Sequence, residues 1–406
     1  MFRSLIVLAA LMMAAPALGQ NPNPQPTSGF DNGFFIQTAD GSTRLTFGFT
    51  GQIDGRFSVD DPLPITNTFT IRKIRPAFSG RLTKYFEFKI MPDLGSGTTV
   101  VQDAYLDTRF TRGFRVRIGK DKTPVGYELL VGDPNVWFPE RSLASSLVPN
   151  RDIGVQAQGD IGGGRLMYSA GLFNGVPDGT STTTEVDTNS DKDVAGRVVI
   201  QPWRRAQNPG VLGALGVHIG GSYGDQAGAL PAFKTSVGQT YFAYATGVTA
   251  NGRRRRVSPA VFYYYKSFGV FGEYALSTLD VARGGAVTQV DNRAVDVNLS
   301  YYITGESNGV GAARPKRPFD PASRQWGELQ VLTRYSHLEV DGDAFANGLA
   351  ATGASRRADQ WTAALNWYPN QFIKWYITYE RTMFDKGAAG TRPAENVILF
   401  RAQVAF

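Results

Sequence analysis

The chain reads as an all-β protein, a transmembrane antiparallel β-barrel of about sixteen strands. Three observations predict this. The sequence ends on an alternating run closed by an aromatic residue, and runs of the same period recur along nearly the whole chain. Beyond the N-terminal region, no uncharged apolar run approaches the length of about 20 residues that a membrane helix needs.

The terminal run carries the argument furthest. Ile398, Phe400, Ala402, Val404 and Phe406 fall on one face, with Val397, Leu399, Arg401, Gln403 and Ala405 on the other, because successive side chains of a strand point to opposite sides. A barrel needs such an ending: its last strand closes the sheet while showing lipid one face and water the other.

At the other end, Arg3 precedes the uncharged stretch Leu5 to Ala15, and Pro16-Ala17-Leu18-Gly19 supplies small residues. This predicts an export signal over residues 1–19, cleaved after Gly19. Residues 20–40, with Pro22, Pro24 and Pro26, read as a flexible leader. The barrel is expected from about Gly41 to Phe406. The 406 residues include 46 glycines and no cysteine, with 12% aromatic residues. An exported chain of this kind is stabilised without disulfides, either as a large soluble β protein or as an outer-membrane barrel. The formal charge of +7 suits solubility, anionic lipid head groups or small anions, and nucleic acid is a poor partner in that compartment.

Along the chain, Leu45, Phe47, Phe49, Ile53, Phe57 and Val59 alternate with Arg44, Thr46, Gln52, Asp54 and Arg56. That is long for a globular strand of five or six residues and normal for a tilted barrel strand. Ile74, Phe78 and Leu82 oppose Lys73, Arg75, Ser79 and Arg81; Phe86, Phe88 and Ile90 oppose Glu87 and Lys89. Leu106 and Phe110 oppose Asp103, Tyr105, Asp107 and Arg109, and Val116 and Ile118 oppose Arg115 and Arg117. Later runs lie at 153–157, 166–172, 194–200, 215–219, 241–244, 261–265, 268–276, 295–301, 329–335, 361–367 and 373–379. Tight links such as Lys266-Ser267 and Pro369-Asn370 contrast with long ones at Lys120–Arg151, Pro177–Lys192, Ala312–Gln325 and Glu339–Arg357, the pattern of short turns at one end and long loops at the other.

The polar faces have a chemistry. Lys73/Arg75 and Arg115/Arg117 are spaced i, i+2, so each pair projects to one face opposite Ile74 or Val116. That face must be the lumen, since a cation facing lipid at mid-bilayer costs about 2–4 kcal/mol. Asp103, Asp107, Glu87, Asp93 and Asp121 lie near enough in sequence to neutralise part of this charge. The run Arg253 to Arg256 is read as a hairpin turn at a phosphate-rich membrane surface, with an anion-collecting vestibule as the alternative. His218 and His337 are the only histidines, and no metal-ligand, P-loop or nucleophile motif occurs. The residues therefore imply no cofactor, metal or enzyme.

Ordered pieces of the chain resemble the phosphate-selective porin O and P family. They are Arg72-Lys73-Ile74-Arg75, Asp103-Ala104-Tyr105-Leu106, Ile118 to Gly126, Phe138 to Ser142, Pro149 to Val155, Gly171 to Gly175, Asn366 to Asn370 and the final Arg401 to Phe406. Pro76, expected to interrupt the second strand, and the stretch Thr180–Asp193 depart from that pattern. The resemblance implies a sixteen-stranded homotrimeric porin of the Gram-negative outer membrane, with a long third loop, about Lys120 to Arg151, folded into the lumen. It implies passive diffusion of small anions, phosphate or polyphosphate among them. The loop would then add Lys120, Lys122, Arg141 and Arg151 to the wall cations Lys73, Arg75, Arg115 and Arg117, with Ser145 and Ser146 as hydroxyl donors. An unselective general-diffusion porin and an exported β-rich binding or structural protein are the alternatives.

Overall fold

The computed structural model describes residues 25–406 except 60–65, 96, 98, 183–188, 205–209, 312 and 388–389. The export signal expected over 1–19 and part of the Pro177–Lys192 link lie outside the described residues.

Alternation produces the wall. Its first half is β1 (Arg44–Ser58), β2 (Thr68–Arg81), β3 (Phe86–Asp93), β4 (Val100–Arg109), β5 (Arg115–Lys122), β6 (Arg151–Ile161), β7 (Leu166–Phe173) and β8 (Asp193–Ile200). The second half is β9 (Leu215–Gly228), β10 (Thr249–Tyr265), β11 (Phe268–Arg283), β12 (Ala286–Tyr302), β13 (Glu328–Glu339), β14 (Arg357–Tyr368), β15 (Ile373–Phe384) and β16 (Glu395–Ala405). Each strand pairs antiparallel with the next, and β16 pairs with β1 from Val397↔Ser58 to Ala405↔Thr50, closing a sixteen-stranded barrel. Closure removes every free sheet edge, the condition for strands in hydrocarbon. Ile53, Phe69, Ile71, Ile90, Ile118, Leu172, Ile219, Val261 and Ile377 stand exposed on the outer face, while Gln52, Asp54, Asp103, Ser258, Asn298, Gln330 and Thr378 are buried on the inner one.

Four sequence expectations change. The leader is not loose throughout: Thr27–Phe30 and Phe34–Gln37 form a hairpin whose second strand pairs with Arg44–Phe47 of β1. Asn32 and Gly33 take positive φ (50° and 140°) in its three-residue loop, a backbone region that Asn and Gly enter most readily. Pro76 does not break β2, which pairs with β1 on both sides of it. Having no N–H, it coincides instead with a short β2–β3 ladder, Phe78–Arg81 against Glu87–Ile90. Residues Thr240–Phe242 are not wall but pair with Phe233–Lys234 in a separate ribbon. Finally, the long link between β12 and β13, residues 303–327, lies at the same barrel end as the short turns 266–267 and 369–372.

Residues 123–150 between β5 and β6 leave the wall, with a helical turn at Tyr127–Leu130 and 3-10 turns at Asp133–Asn135 and Leu143–Leu147. Their apolar side chains pack inside. Tyr127, Trp137 and Phe138 cluster with Val199, Ala260, Phe262, Phe271, Leu332 and Ala364. Val125, Leu129, Leu143, Leu147 and Val148 join a second cluster with Leu279, Val290 and Leu338. These wall partners belong to β8 and β10–β14, so one half of the interior is packed.

Candidate functional site

The 123–150 segment is held to β11 and β13–β16 by backbone groups. Its carbonyls accept hydrogen bonds from Lys374 (Val136 O, 2.7 Å), Asn366 (Trp137 O, 2.8 Å), Arg334 (Glu140 O, 3.0 Å) and Gln403 (Pro134 O, 3.0 Å). Glu273 of β11 accepts from the N–H groups of Tyr127 and Glu128, both at 2.8 Å. Pairing these otherwise orphaned backbone groups is what allows an irregular segment to be buried.

Towards the other half it presents carboxylates to the basic wall. Asp133 gathers Lys73 (2.9 Å), Arg141 (2.8 Å), Lys122 (3.9 Å) and Arg75. Burial raises its carboxyl, but the surrounding Lys73, Lys122, Arg141 and Arg75 outweigh that and hold it well below the usual carboxylate range. Glu140 pairs with Arg72 (3.0 Å), Arg401 (3.0 Å) and Arg56 (3.2 Å). Burial again opposes ionisation, and Arg72 and Arg401 again prevail, so Glu140 also lies below its ordinary value.

Open space follows this basic side. One cavity of about 610 Å³ is lined by Arg56, Arg72, Lys73, Arg75, Arg141, Arg151 and Lys234, with Asp133 and Glu140. A second, of about 410 Å³, is lined by Arg75, Lys89, Arg115, Arg117, Lys122, Arg151 and Arg197, with Asp103, Asp121 and Asp133.

The sequence-predicted residues fall as follows. Lys73, Arg75, Arg115 and Arg117 sit on β2 and β5 and line these cavities. Arg75 also pairs with Asp93 at 2.7 Å, and Arg117 pairs with Asp107 and Asp121 while lying over the Tyr105 ring at 3.7 Å. Arg115 is the loosest, 3.7 Å from Asp107. Lys120 and Lys122 were expected on the loop but belong to β5, because that strand's ladder with β4 and β6 runs on to its end. Lys120 donates to Thr182 O (2.6 Å), and Lys122 to the carbonyls of Leu129 and Val131 (2.8 and 2.7 Å). Arg151 likewise opens β6 and pairs with Asp103 at 2.8 Å. Arg141 lies in the segment and holds Val131 O (2.8 Å) as well as Asp133. Ser145 donates to Glu128 Oε2 (3.1 Å) at the edge of the larger cavity, which Ser146 also lines.

The Arg253–Arg256 run is corrected outright. It lies within β10, and Arg254 and Arg256 point inward and are buried. Arg256 pairs with Asp178 (2.6 Å) and Asp193 (3.2 Å), and Arg254 donates to Val176 O (3.3 Å). Two consequential residues escaped the sequence reading. Asp133 is an isolated acid within a Gly/Pro segment, and Arg197 stands as a single cation between Gly196 and Val198. Strand alternation was the one signal that pointed Arg197 inward.

The model for phosphate-selective porin O and P matches residues 47–406. The chain belongs to that family. No curated protein matches this porin. Among solved structures it is similar to the outer membrane channel DcaP of Acinetobacter baumannii, at 12% identity and TM-score 0.58 over 91% of this chain and 99% of that one. It is also similar to the outer membrane protein OmpT of Vibrio cholerae in its trimer form, at 15% identity and TM-score 0.56 over 90% and 100% of the two chains. An anion-selective porin from Comamonas acidovorans matches at 11% identity and TM-score 0.55, again over 90% and 100%. At these identities the likeness is one of fold, a porin barrel of the Gram-negative outer membrane.

Proposed function

We propose that this porin passes small anions, phosphate or polyphosphate among them, along the basic side of its barrel, with the 123–150 segment narrowing the lumen. In this reading the exported chain loses residues 1–19 and works as a homotrimer. The solved V. cholerae relative, described in a trimer form, supports the last point. The observation that carries the proposal is the charge of the open space. Seven cationic side chains line each main cavity, against two carboxylate side chains in one and three in the other. Low-dielectric walls focus such a surplus and raise the local concentration of anions.

The test is the reversal potential of the purified porin in a planar bilayer under a chloride gradient. The wild type is expected to favour the anion. Replacing Arg115 and Arg117 together by Glu is expected to lower the anion-to-cation permeability ratio several-fold in heat-modifiable, folded protein. An unchanged ratio removes these two residues from the selectivity machinery. General diffusion is the second reading, favoured by the ion pairs in which most of these cations share the few carboxylates, and a wild-type reversal potential near zero establishes it.

A further inference from the structure

The link between β12 and β13, residues 303–327, divides in two. Its first half meets the 123–150 segment, where Trp137 Nε1 donates to Gly309 O at 3.1 Å. Its second half leaves the passage and folds against the outside of the wall. On β14 the outward row runs Arg357, Asp359, Trp361, Ala363, Leu365 and Trp367, so Trp367 marks the short-turn edge of the band that faces hydrocarbon. Phe319 packs edge-on against that ring at 5.5 Å and lies 6.0 Å from Trp326, whose carbonyl accepts from Trp367 Nε1 at 2.6 Å. The backbone fixes this arrangement. Asp320 and Gln325 exchange two hydrogen bonds, both 2.9 Å, and the Phe319 N–H donates to Pro369 O at 2.7 Å. Trp326 is nonetheless 69% exposed and Phe319 39%. Two rings held outward at the edge of an apolar band are costly in water and suit a membrane interface.

Charge sorts the same way. The link carries Arg314, Lys316, Arg317 and Arg324, all exposed, and its two carboxylates are spent internally. Glu306 is buried and accepts from the Lys316 N–H (3.2 Å), while Asp320 accepts from the Ala322 N–H (3.0 Å) and Ser323 Oγ (2.6 Å). Arg317 and Arg324, beside the two rings, make no ion pair and no side-chain hydrogen bond among the described residues. The other links at this end, 82–85, 110–114, 162–165, 201–214, 266–267 and 369–372, contain no carboxylate at all. Lys84, Arg112, Arg165, Arg204 and Lys266 lie on them, with Lys84 over the Tyr85 ring at 4.9 Å and Lys266 over Tyr265 at 5.3 Å. The opposite end gathers acids instead, among them Asp178, Asp191, Asp341, Asp343 and Asp385. The barrel is therefore polarised along its axis, basic where the turns are short.

We propose that residues 317–326 are a docking surface for anionic phospholipid of the periplasmic leaflet. Short turns face the periplasm in barrels of this kind. Trp326 and Phe319 seat at the boundary between acyl chains and head groups, and Arg317 and Arg324 hold the phosphates beside them. The depth of the rings selects this partner over the polyanionic cell wall, which lies beyond the membrane and offers nothing to an exposed indole at the edge of the hydrocarbon. The surface is outside the passage, so the inference stands apart from the channel's selectivity.

The test is tryptophan quenching in vesicles of phosphatidylcholine with a minor share of phosphatidylglycerol, the brominated chains being carried by one lipid or the other. Trp326→Phe keeps an aromatic ring, and its difference from the wild type isolates the signal of Trp326 among the six tryptophans. That component is expected to be quenched, and brominated phosphatidylglycerol to outcompete brominated phosphatidylcholine there by about fivefold for each of the two cations. Replacing Arg317 and Arg324 together by Gln is expected to bring the preference to about one while Trp326 stays quenched. Raising salt to 1 M is expected to lower the wild-type preference in the same direction, which reads the charge without any substitution. Equal quenching by the two lipids in the wild type overturns the proposal, as does a Trp326→Phe variant quenched no less than the wild type. Co-sedimentation with purified peptidoglycan that the double variant loses, its lipid preference unchanged, also overturns it and assigns the cations to the cell wall.

Discussion

At the scale of single residues, Asp133 is the hub of the basic side. Lys73 and Arg75 come from β2, Lys122 from β5 and Arg141 from the segment itself, and all four converge on its carboxylate. Removing one partner of a buried ionic cluster leaves uncompensated charge, at a cost of about 3–5 kcal/mol. Asp133→Asn is therefore expected to do two things at once. It frees cations to face the passage, raising the anion-to-cation permeability ratio, and it lowers the temperature at which the folded band on a semi-native gel converts to the unfolded one. A variant unchanged in both measurements would show that Asp133 neither tethers nor neutralises. The same convergence explains why the site was only half legible. Alternation placed Lys73, Arg75, Arg115 and Arg117 on the lumen face, but their partner lies 58 residues beyond Arg75 in a segment with no period at all.

Elements were far more legible, because a wall strand obeys one rule wherever it sits. Lipid outside and water or packed side chains inside impose a period of two that no distant contact rewrites. The failures came where a second surface intervenes. Arg253 to Arg256 looked like a turn because four consecutive charges seldom enter a strand. Here Asp178 and Asp193, reaching in from the β7–β8 link and the start of β8, neutralise the inward one at position 256. The final strand is the element with the clearest test. Phe406 exchanges two backbone hydrogen bonds with Phe49 (2.8 and 3.0 Å) and packs its ring against Phe30, Phe34, Phe47 and Phe49. Deleting it uncovers both the edge of β1 and the N-terminal hairpin. The fraction of heat-modifiable, trypsin-resistant barrel is expected to drop severalfold, and a normal yield would show that the seam closes without it.

For the whole molecule, the interior divides lengthwise. Apolar clusters and buried carboxylates such as Glu128, Glu273 and Asp296 fill one side, and the basic cavities occupy the other. Ions crossing on that side travel within a few ångströms of fixed charge, and salt screens such fields over about 10 Å at 0.1 M and 3 Å at 1 M. The anion preference is therefore expected to weaken as electrolyte is raised between those concentrations, read as a falling permeability ratio at a constant concentration gradient. A ratio indifferent to salt would place selectivity in steric fit instead. One joint also bears on how this barrel is made. Arg401 on the last strand grips Asp54 on the first at 2.6 Å, and Glu140 bonds Arg401, Arg56 and Arg72 from within. That staple has legs in the last strand and the first two, so it can be driven only after the two ends of the sheet have met. The segment's full grip therefore cannot exist before the sheet has closed. Parting the seam then means breaking that clasp as well as the ladder from Val397↔Ser58 to Ala405↔Thr50, so the joint is held from inside the barrel as well as along its wall.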